Sequence, residues 1–378
     1  MRIKELLEQM VQLGASDLHI KAGIPPTVRV HGNLQRLNFP APTPKDAEET
    51  ARQILTAAQR EKFEKTREID FAFGVTGLAR FRANFYVQRN TIAMVFRHVP
   101  VTIRSVDELN LPPIIAELAL QPRGLILVTG TVGSGKSTTL AAMVKTINQN
   151  VNESIITIED PIEFLHRDEK SIVNQREVGS DTASYHEALR HVLRQDPDVI
   201  LIGEIRDRET MEIALKAADT GHLVFSTLHT TDATQTMNRV ITFFPPHQHQ
   251  EIRYLLAASL QAVICQRLLP RADGNGMVPA VEVMVATATI RDCIINPEKT
   301  PLIVQFIREG VVQHKMQAFD QSLMDLYQRG LVTLEEALRA SSNPHELMMR
   351  LKGIHATSDK SWDKFEEPRK EPAPVPAR

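Results

Sequence analysis

Residues Gly130-Thr131-Val132-Gly133-Ser134-Gly135-Lys136-Ser137 spell G-x-x-x-x-G-K-S, a spacing suited to holding the phosphates of a nucleoside triphosphate. The glycines let backbone N–H groups close around phosphate oxygens, and a helix opening behind them adds the positive end of its dipole. In such a loop Lys136 reaches the β- and γ-phosphates, and the Ser137 hydroxyl ligates Mg²⁺. Thr138 completes the cofactor-binding candidates, and the expected cofactors are ATP and Mg²⁺.

Three stretches downstream have residue types that hydrolysis needs. The apolar run Ile155 to Ile158 ends in Glu159, Asp160 and Glu163. Parallel strands present their C-terminal ends to the ligand crevice, so a carboxylate there can polarise an attacking water. A solvated acidic turn would have the same composition. Asp198-Val199-Ile200-Leu201-Ile202-Gly203-Glu204 is a second apolar run closing on an acid, the Walker-B pattern that holds Mg²⁺ directly or through water. Gly203 lets the backbone approach the nucleotide closely. The third stretch, Leu223 to Leu228, lies between His222 and His229. Seven extended residues separate these histidines by about 23 Å, so only one can meet a γ-phosphate. His229, at the C-terminal end, is the candidate phosphate sensor, and His222 is assigned to a packing or subunit contact.

These residues require a mainly parallel sheet. An apolar strand, Leu125–Thr129, feeds the glycine loop, and Ser137 to Val144 reads as the helix behind it. Ile155–Ile158, Val199–Ile202 and Leu223–Thr227 supply further strands, with helical stretches between them. The chain before Pro100 reads instead as a small α+β unit. A helix to about Leu13, strands at Asp17–Ile20 and Thr27–Val30, and charge-rich helical segments from about Pro44 to Lys65 precede three strands, Asp70–Phe73, Ala79–Val87 and Ile92–Val99. Period-2 alternation places Arg80, Arg82 and Asn84 on one strand face and Phe81 and Phe85 on the other, with Arg97 in the next strand. Fixed guanidiniums suit phosphate oxygens, although a solvated charged face has the same pattern. The resulting division is 1–99 N-terminal domain, 100–113 linker, 114–286 ATPase core, 287–353 helical C-terminal subdomain and 354–378 disordered tail.

Composition narrows the function classes. The 378 residues carry a formal net charge of −2, which gives no global field to recruit nucleic acid or anionic lipid. Aromatic residues make up 5% of the chain, so stacking platforms for bases are scarce and no direct nucleic-acid partner is expected. Two cysteines, Cys265 and Cys293, support neither a disulfide framework nor a zinc site and fit a cytoplasmic setting. No run of about 18 apolar residues exists to span a membrane. Met1 to Glu8 reads as a charged amphipathic helix rather than a signal peptide.

The stations together resemble the secretion and pilus ATPases, and among them the PilT/PilU-type twitching-motility ATPases. The residues that carry the resemblance begin with Gly14-Ala15-Ser16-Asp17-Leu18-His19, the Arg80-Phe81-Arg82 strand, the phosphate loop and Thr157-Ile158-Glu159-Asp160-Pro161-Ile162-Glu163. They continue through Val173-Asn174-Gln175-Arg176-Glu177-Val178 and Gly203-Glu204-Ile205-Arg206-Asp207 to Thr220-Gly221-His222 and His229. The resemblance runs from about residue 3 to 352. It implies an α/β fold in which a PAS-like α+β N-terminal domain precedes a RecA-like P-loop ATPase domain with a helical C-terminal part. It also implies a homohexamer that hydrolyses ATP to power type IV pilus retraction. Such a ring docks in the cytoplasm on an inner-membrane platform protein at the pilus base and meets the membrane only through partners, a second retraction ATPase among the candidates.

Carried onto matching positions, Glu163 is the acid that activates water and Glu204 the Walker-B acid. Arg80, Arg97 and Arg82 are small-domain arginines that meet the phosphates, and His222 and His229 match the family's His box. One stretch departs from the pattern. Retraction ATPases of this type usually carry Ala-Ile-Arg-Asn-Leu-Ile-Arg where this chain has Thr289-Ile290-Arg291-Asp292-Cys293-Ile294-Ile295. An accessory ATPase dependent on a partner motor is therefore the alternative. An ATP-binding regulatory ring with negligible turnover is a third reading, opposed by intact Lys136, Glu163 and Glu204.

Overall fold

The computed structural model describes residues 2–30, 32–99 and 102–352. The chain divides into two compact units. Unit 1 runs to Thr102 and takes in Pro161–His166; unit 2 comprises Ile103–Asp160 and the chain from Arg167 onward.

Unit 1 opens with α1 (Ile3–Gln12), β1 (Asp17–Lys21), β2 (Thr27–Val30) and β3 (Asn33–Arg36). Next come α2 (Pro44–Ile54), α3 (Ala57–Thr66), β4 (Glu68–Val75), β5 (Ala79–Gln88) and β6 (Thr91–Val99). The strands form one antiparallel sheet in the order β3-β2-β1-β6-β5-β4. Its buried face carries Phe81, Phe85 and Phe96, which pack with Leu6, Leu7, Met10 and Leu18. The helical segments expected over 44–65 are two helices that part at Leu55, because Thr56 caps the second through a reciprocal bond with Gln59. One strand has no counterpart in the sequence pattern. The edge strand β3 is exposed at all four residues, so it has no apolar alternation to announce it.

Unit 2 begins with α4 (Ile114–Ala119), β7 (Gly124–Thr129), α5 (Lys136–Asn150), β8 (Ser154–Glu159) and β9 (Ile172–Glu177). It continues with α6 (Tyr185–Val192), β10 (Val199–Ile202), α7 (Arg208–Asp219), β11 (Leu223–Leu228), α8 (Ala233–Thr242) and α9 (His249–Ser259). A hairpin of β12 (Leu260–Pro270) and β13 (Met277–Val285) leads into the helices α10 (Ala288–Ile295), α11 (Ile303–Glu309), α12 (Val311–His314), α13 (Phe319–Gln328), α14 (Leu334–Ala340) and α15 (Pro344–Leu351).

The sheet order is β13-β12-β7-β11-β10-β8-β9, parallel from β12 to β9 with β13 antiparallel at the edge. Both faces are covered. Leu125, Leu127, Ile200 and Ile202 belong to one apolar cluster, and Ile126, Val128, Val199 and Leu201 to the other. That alternation explains why these strands read as continuous apolar runs. The unit is a RecA-like α/β domain with a helical C-terminal part.

β9, β12 and β13 are strands that the sequence pattern does not mark. β12 continues an apolar sequence directly from α9 without a Gly or Pro to mark the change, and β9 is an edge strand of mixed polarity. The stretch read as a linker is absorbed into unit 2 from Ile103, because Val106, Leu109 and Leu111 are buried in that unit's core. The tail 354–378, with Trp362 and Phe365, lies outside the described residues.

Candidate functional site: a phosphate loop and a tethered acid at one end of the strands

All six residues of β7 are buried, and the chain leaves it through a turn that only glycine accommodates. Gly130 has φ +144°, and a Cβ there would lie 2.5 Å from the Gln266 carbonyl oxygen and 2.5 Å from the Ser134 Oγ. Gly133 and Gly135 have φ +78° and +91°, so the loop wraps with left-handed residues at both positions. Thr131 and Val132 stand exposed at its tip. Gly135 caps α5, whose first N–H groups have no partner within the helix and face the loop's concavity. The Lys136 ammonium donates to the Gly130 and Thr131 carbonyls, both at 2.9 Å, and is nearly enclosed. Ser137 and Thr138 follow in the first turn of α5, half-buried.

The strand order places two other strand ends at this same C-terminal end of the sheet. Parallel pairing sets Leu228 of β11 opposite Thr129 of β7 and Ile202 of β10 opposite Ser226 of β11. His229 and Glu204 therefore emerge side by side, one strand away from the loop. The His229 Nε2 lies 2.9 Å from the Glu204 Oε1, and Arg206 donates to the Glu204 Oε2 at 2.8 Å. Burial opposes ionisation of Glu204, whose side chain is 18% exposed, but the bond from Arg206 and the His229 partner outweigh it. Its carboxyl is held below the ordinary range, so it is an anion at neutral pH. The turn beneath is locked by Thr227 donating to the Gly203 carbonyl at 2.7 Å, and by the Ile205 N–H bonding the Thr227 carbonyl at 3.1 Å. His222 lies at the opposite end of β11, where its Nδ1 is 3.0 Å from the Ala217 carbonyl oxygen. The two histidines are thus not brought together.

Glu159 ends β8 and accepts from Thr157 at 2.6 Å and from Gln175 at 3.1 Å. Glu163 is exposed and lies in Pro161–His166, the stretch grouped with unit 1. Arg80, Arg82 and Arg97 are also in unit 1. Arg82 faces Arg97 directly across β5 and β6, and Arg97 donates from Nε to Asp17 at 2.8 Å.

Three residues at this end of the strands have no part in the sequence expectations. Tyr185 opens α6 with its hydroxyl against Gly203, where a Cβ would lie 2.7 Å away. Burial, followed by the charge of Asp160, raises its pKa, so the hydroxyl stays protonated. Nothing in the local sequence announces this contact. Arg206 lies two residues beyond Glu204, and its grip on that carboxylate has no sequence signal of its own. Gln266 is buried beside the loop and donates to Thr139 at 2.7 Å. A lone amide in the run Ala262-Val263-Ile264-Cys265-Gln266 was the signal available. Beside Ser134, Gly135 and Thr138 opens a cavity of about 520 Å³, walled by Leu111, Leu268, Met277 and Pro279 with Arg104 and Arg271 among its polar groups. Such a slot of mixed apolar and polar lining next to a phosphate loop suits the base and sugar of a nucleotide.

Among the described residues no helix is long and apolar enough to cross a membrane. Residues 103–367 match the model of the family described as "Type II/IV secretion system protein". The chain is 45% identical over 344 residues to the type IV pilus retraction ATPase PilT of Pseudomonas aeruginosa, an alignment covering 91% of this chain and 99% of that protein. It is 41% identical to the type IV pilus ATPase PilU of the same organism, covering 93% and 92% of the two chains. Among solved structures it is similar to the pilus retraction motor PilT with bound ADP, with a TM-score of 0.85 and 46% identity over 92% of this chain and 99% of that one.

Proposed function

We infer the work of this chain from the type II/IV secretion system proteins, the family to which it belongs: it is an ATPase that powers type IV pilus retraction. The observation that carries this reading is the convergence at the C-terminal end of the parallel strands of the Lys136 loop and an ionised Glu204 tethered by His229 and Arg206.

The phosphates are received by the loop N–H groups of residues 130–138 and the start of α5, with Lys136 shifting from its own carbonyls to the β- and γ-oxygens. The donor set fits Mg²⁺, since Glu204 is an anion and Ser137 presents a hydroxyl in the first turn of α5. When bound, that ion neutralises charge on the β- and γ-phosphates. Glu163 takes the proton of the attacking water, and His229 reports the state of the phosphates to the Glu204 turn. Arg80, Arg82 and Arg97 stabilise the charge that develops on the transferred phosphoryl group. Loss of the γ-phosphate removes what those guanidiniums hold, and repetition of that step around a homohexamer delivers movement. The ring works in the cytoplasm on an inner-membrane platform protein at the pilus base and reaches the membrane only through partners.

A second reading has its own support. Of the departing stretch 289–295, Arg291 is retained as a structural anchor. Asp292, where the usual motif has Asn, instead forms an ion pair with Lys299 at 2.7 Å. The similarity to the accessory-type ATPase PilU is nearly as extensive as that to PilT. In this reading the chain pulls only beside a second retraction ATPase.

Bead-tether pulling on pili, in cells lacking their own retraction ATPases and supplied with this chain alone, separates the two. Retraction that disappears with Lys136→Ala is the expected result. Pili that stay extended, although the chain is present and hydrolyses ATP, establish the accessory role. Equal phosphate release by wild type and Glu163→Gln would remove Glu163 from the mechanism.

A further inference from the structure

The stretch Gly14 to His19 contributes Ser16 and Asp17 to a charged face of the unit 1 sheet. Across four strands of unit 1, Arg29, Asp17, Arg97 and Arg82 stand directly opposite one another in a single row. Directly opposed residues share a face of the sheet. The row therefore sets three guanidiniums on one surface with one carboxylate among them.

That carboxylate is unusually well fixed. Asp17 is 6% exposed. Its Oδ1 accepts from the Arg97 Nε at 2.8 Å, and its Oδ2 accepts from the Ser16 hydroxyl at 2.8 Å. Burial works against its ionisation, but the Ser16 and Arg97 bonds outweigh it and hold the carboxyl below the usual range. Arg97 has the opposite character, with a side chain 61% exposed. Asp17 binds it only through Nε, and among the described residues its two terminal nitrogens make no hydrogen bond. A guanidinium held by Nε keeps the edge formed by its terminal nitrogens free, and that edge matches two phosphate oxygens. An ion pair with one partner this exposed contributes little to stability. Its consequence is orientation: without Asp17, repulsion from Arg29 and Arg82 and the rotamer freedom of a long side chain would disperse the Arg97 head.

We propose that Asp17, braced by Ser16, is a positioning residue that aims Arg97 at the nucleotide phosphates. This rests on the reading that the unit 1 arginines stabilise the transferred phosphoryl group. Asp17 touches no substrate and acts through Arg97, so its effect exists only while Arg97 is present. Arg97→Lys should resemble Arg97→Ala, because lysine has no Nε–H to be gripped while a forked end stays free.

The test is steady-state phosphate release by the full chain over a range of ATP concentrations, with thermal unfolding of each variant. Arg97→Ala should lower kcat by about 1,000-fold, the low end of what an arginine at a transferring phosphoryl group supplies. Asp17→Asn, which keeps shape and hydrogen bonding to Ser16, should lower kcat by about tenfold with a similar KM, since misaim of about 1 Å is costly. In the Arg97→Ala background the same Asp17→Asn change should cost less than about twofold. An equal fold-loss from Asp17→Asn in both backgrounds would make Asp17 merely structural and overturn the proposal while leaving the arginine reading intact. Wild-type turnover by Arg97→Ala would overturn the arginine reading itself, and the positioning role with it.

Discussion

Replacing Gly203 by Ala should damage the Walker-B turn through a collision with one atom, and removing that atom should largely repair it. A Cβ on Gly203 would lie 2.7 Å from the Tyr185 hydroxyl oxygen, 3.3 Å from the Ile158 carbonyl oxygen and 3.4 Å from the Glu159 Cα. Only the first contact is far inside van der Waals range. Tyr185 is the first residue of α6 and packs against the apolar cluster on that face of the sheet, so its ring cannot simply withdraw. Overpacking of this kind costs about 1–3 kcal/mol. Here the strain falls one residue before Glu204, where a displacement of about 1 Å can cost about 100-fold in rate.

Tyr185→Phe deletes the hydroxyl and draws the nearest atom back by up to about 1.4 Å, one bond length. That restores a contact near the ordinary 3.5–4.0 Å. Gly203→Ala should therefore lose between about 10- and 100-fold in kcat, and adding Tyr185→Phe should regain at least about tenfold, or about 1.4 kcal/mol. Phosphate-release kinetics on the two single variants and the double variant measure the coupling directly. If the double variant is as slow as Gly203→Ala, the hydroxyl is not the obstacle and the packing argument fails.

Arg291 donates from Nε to the Ala286 carbonyl at 2.9 Å and from its terminal nitrogens to Ala257, to Ala258 at 3.0 Å and to Leu260 at 3.1 Å. It thereby closes the carbonyl end of α9, and Arg291→Ala should destabilise the chain by about 2–4 kcal/mol. Thermal unfolding should show a lower midpoint with the KM for ATP unchanged. Glu282 is buried with one carboxylate oxygen accepting from the Ala233 N–H at 2.8 Å. Burial, opposed by that bond and reinforced by Asp232, pushes its pKa up from 4.5 to about 7. Between those values the folded chain holds a proton that the unfolded chain has released, so stability falls as pH rises from the lower to the higher. Glu282→Gln should flatten this decline by about 2–3 kcal/mol between pH 4.5 and 7.5, read from denaturant unfolding across that range. An unchanged pH slope would show that Glu282 does not titrate there.

The phosphate loop was legible because its chemistry is local. Eight consecutive residues fix the turn, the lysine and the helix start, and the apolar run before them identifies the buried strand. The same holds for Val199 to Glu204, where four aliphatic residues and a terminal acid fix both the strand and its exit. Period-2 alternation in Ala79 to Phe85 separated the buried phenylalanines from the arginines for the same reason. By contrast, β12 gave no sign, since a buried strand entered directly from a helix has neither a turn residue nor a period to mark it.

What no local pattern carries is which strand lies beside which. His229 meets Glu204 only because β11 inserts between β7 and β10. Tyr185 reaches Gly203 only because α6 packs beside β8. Arg97 finds Asp17 across 80 residues of sequence, because β1 returns to pair with β6. The sequence by itself determined the phosphate-loop pattern, the acids that end the apolar runs, and most of the strands and helices that bear them. The tertiary structure alone decided which charges are paired, buried or aimed, because those properties arise from contacts between elements.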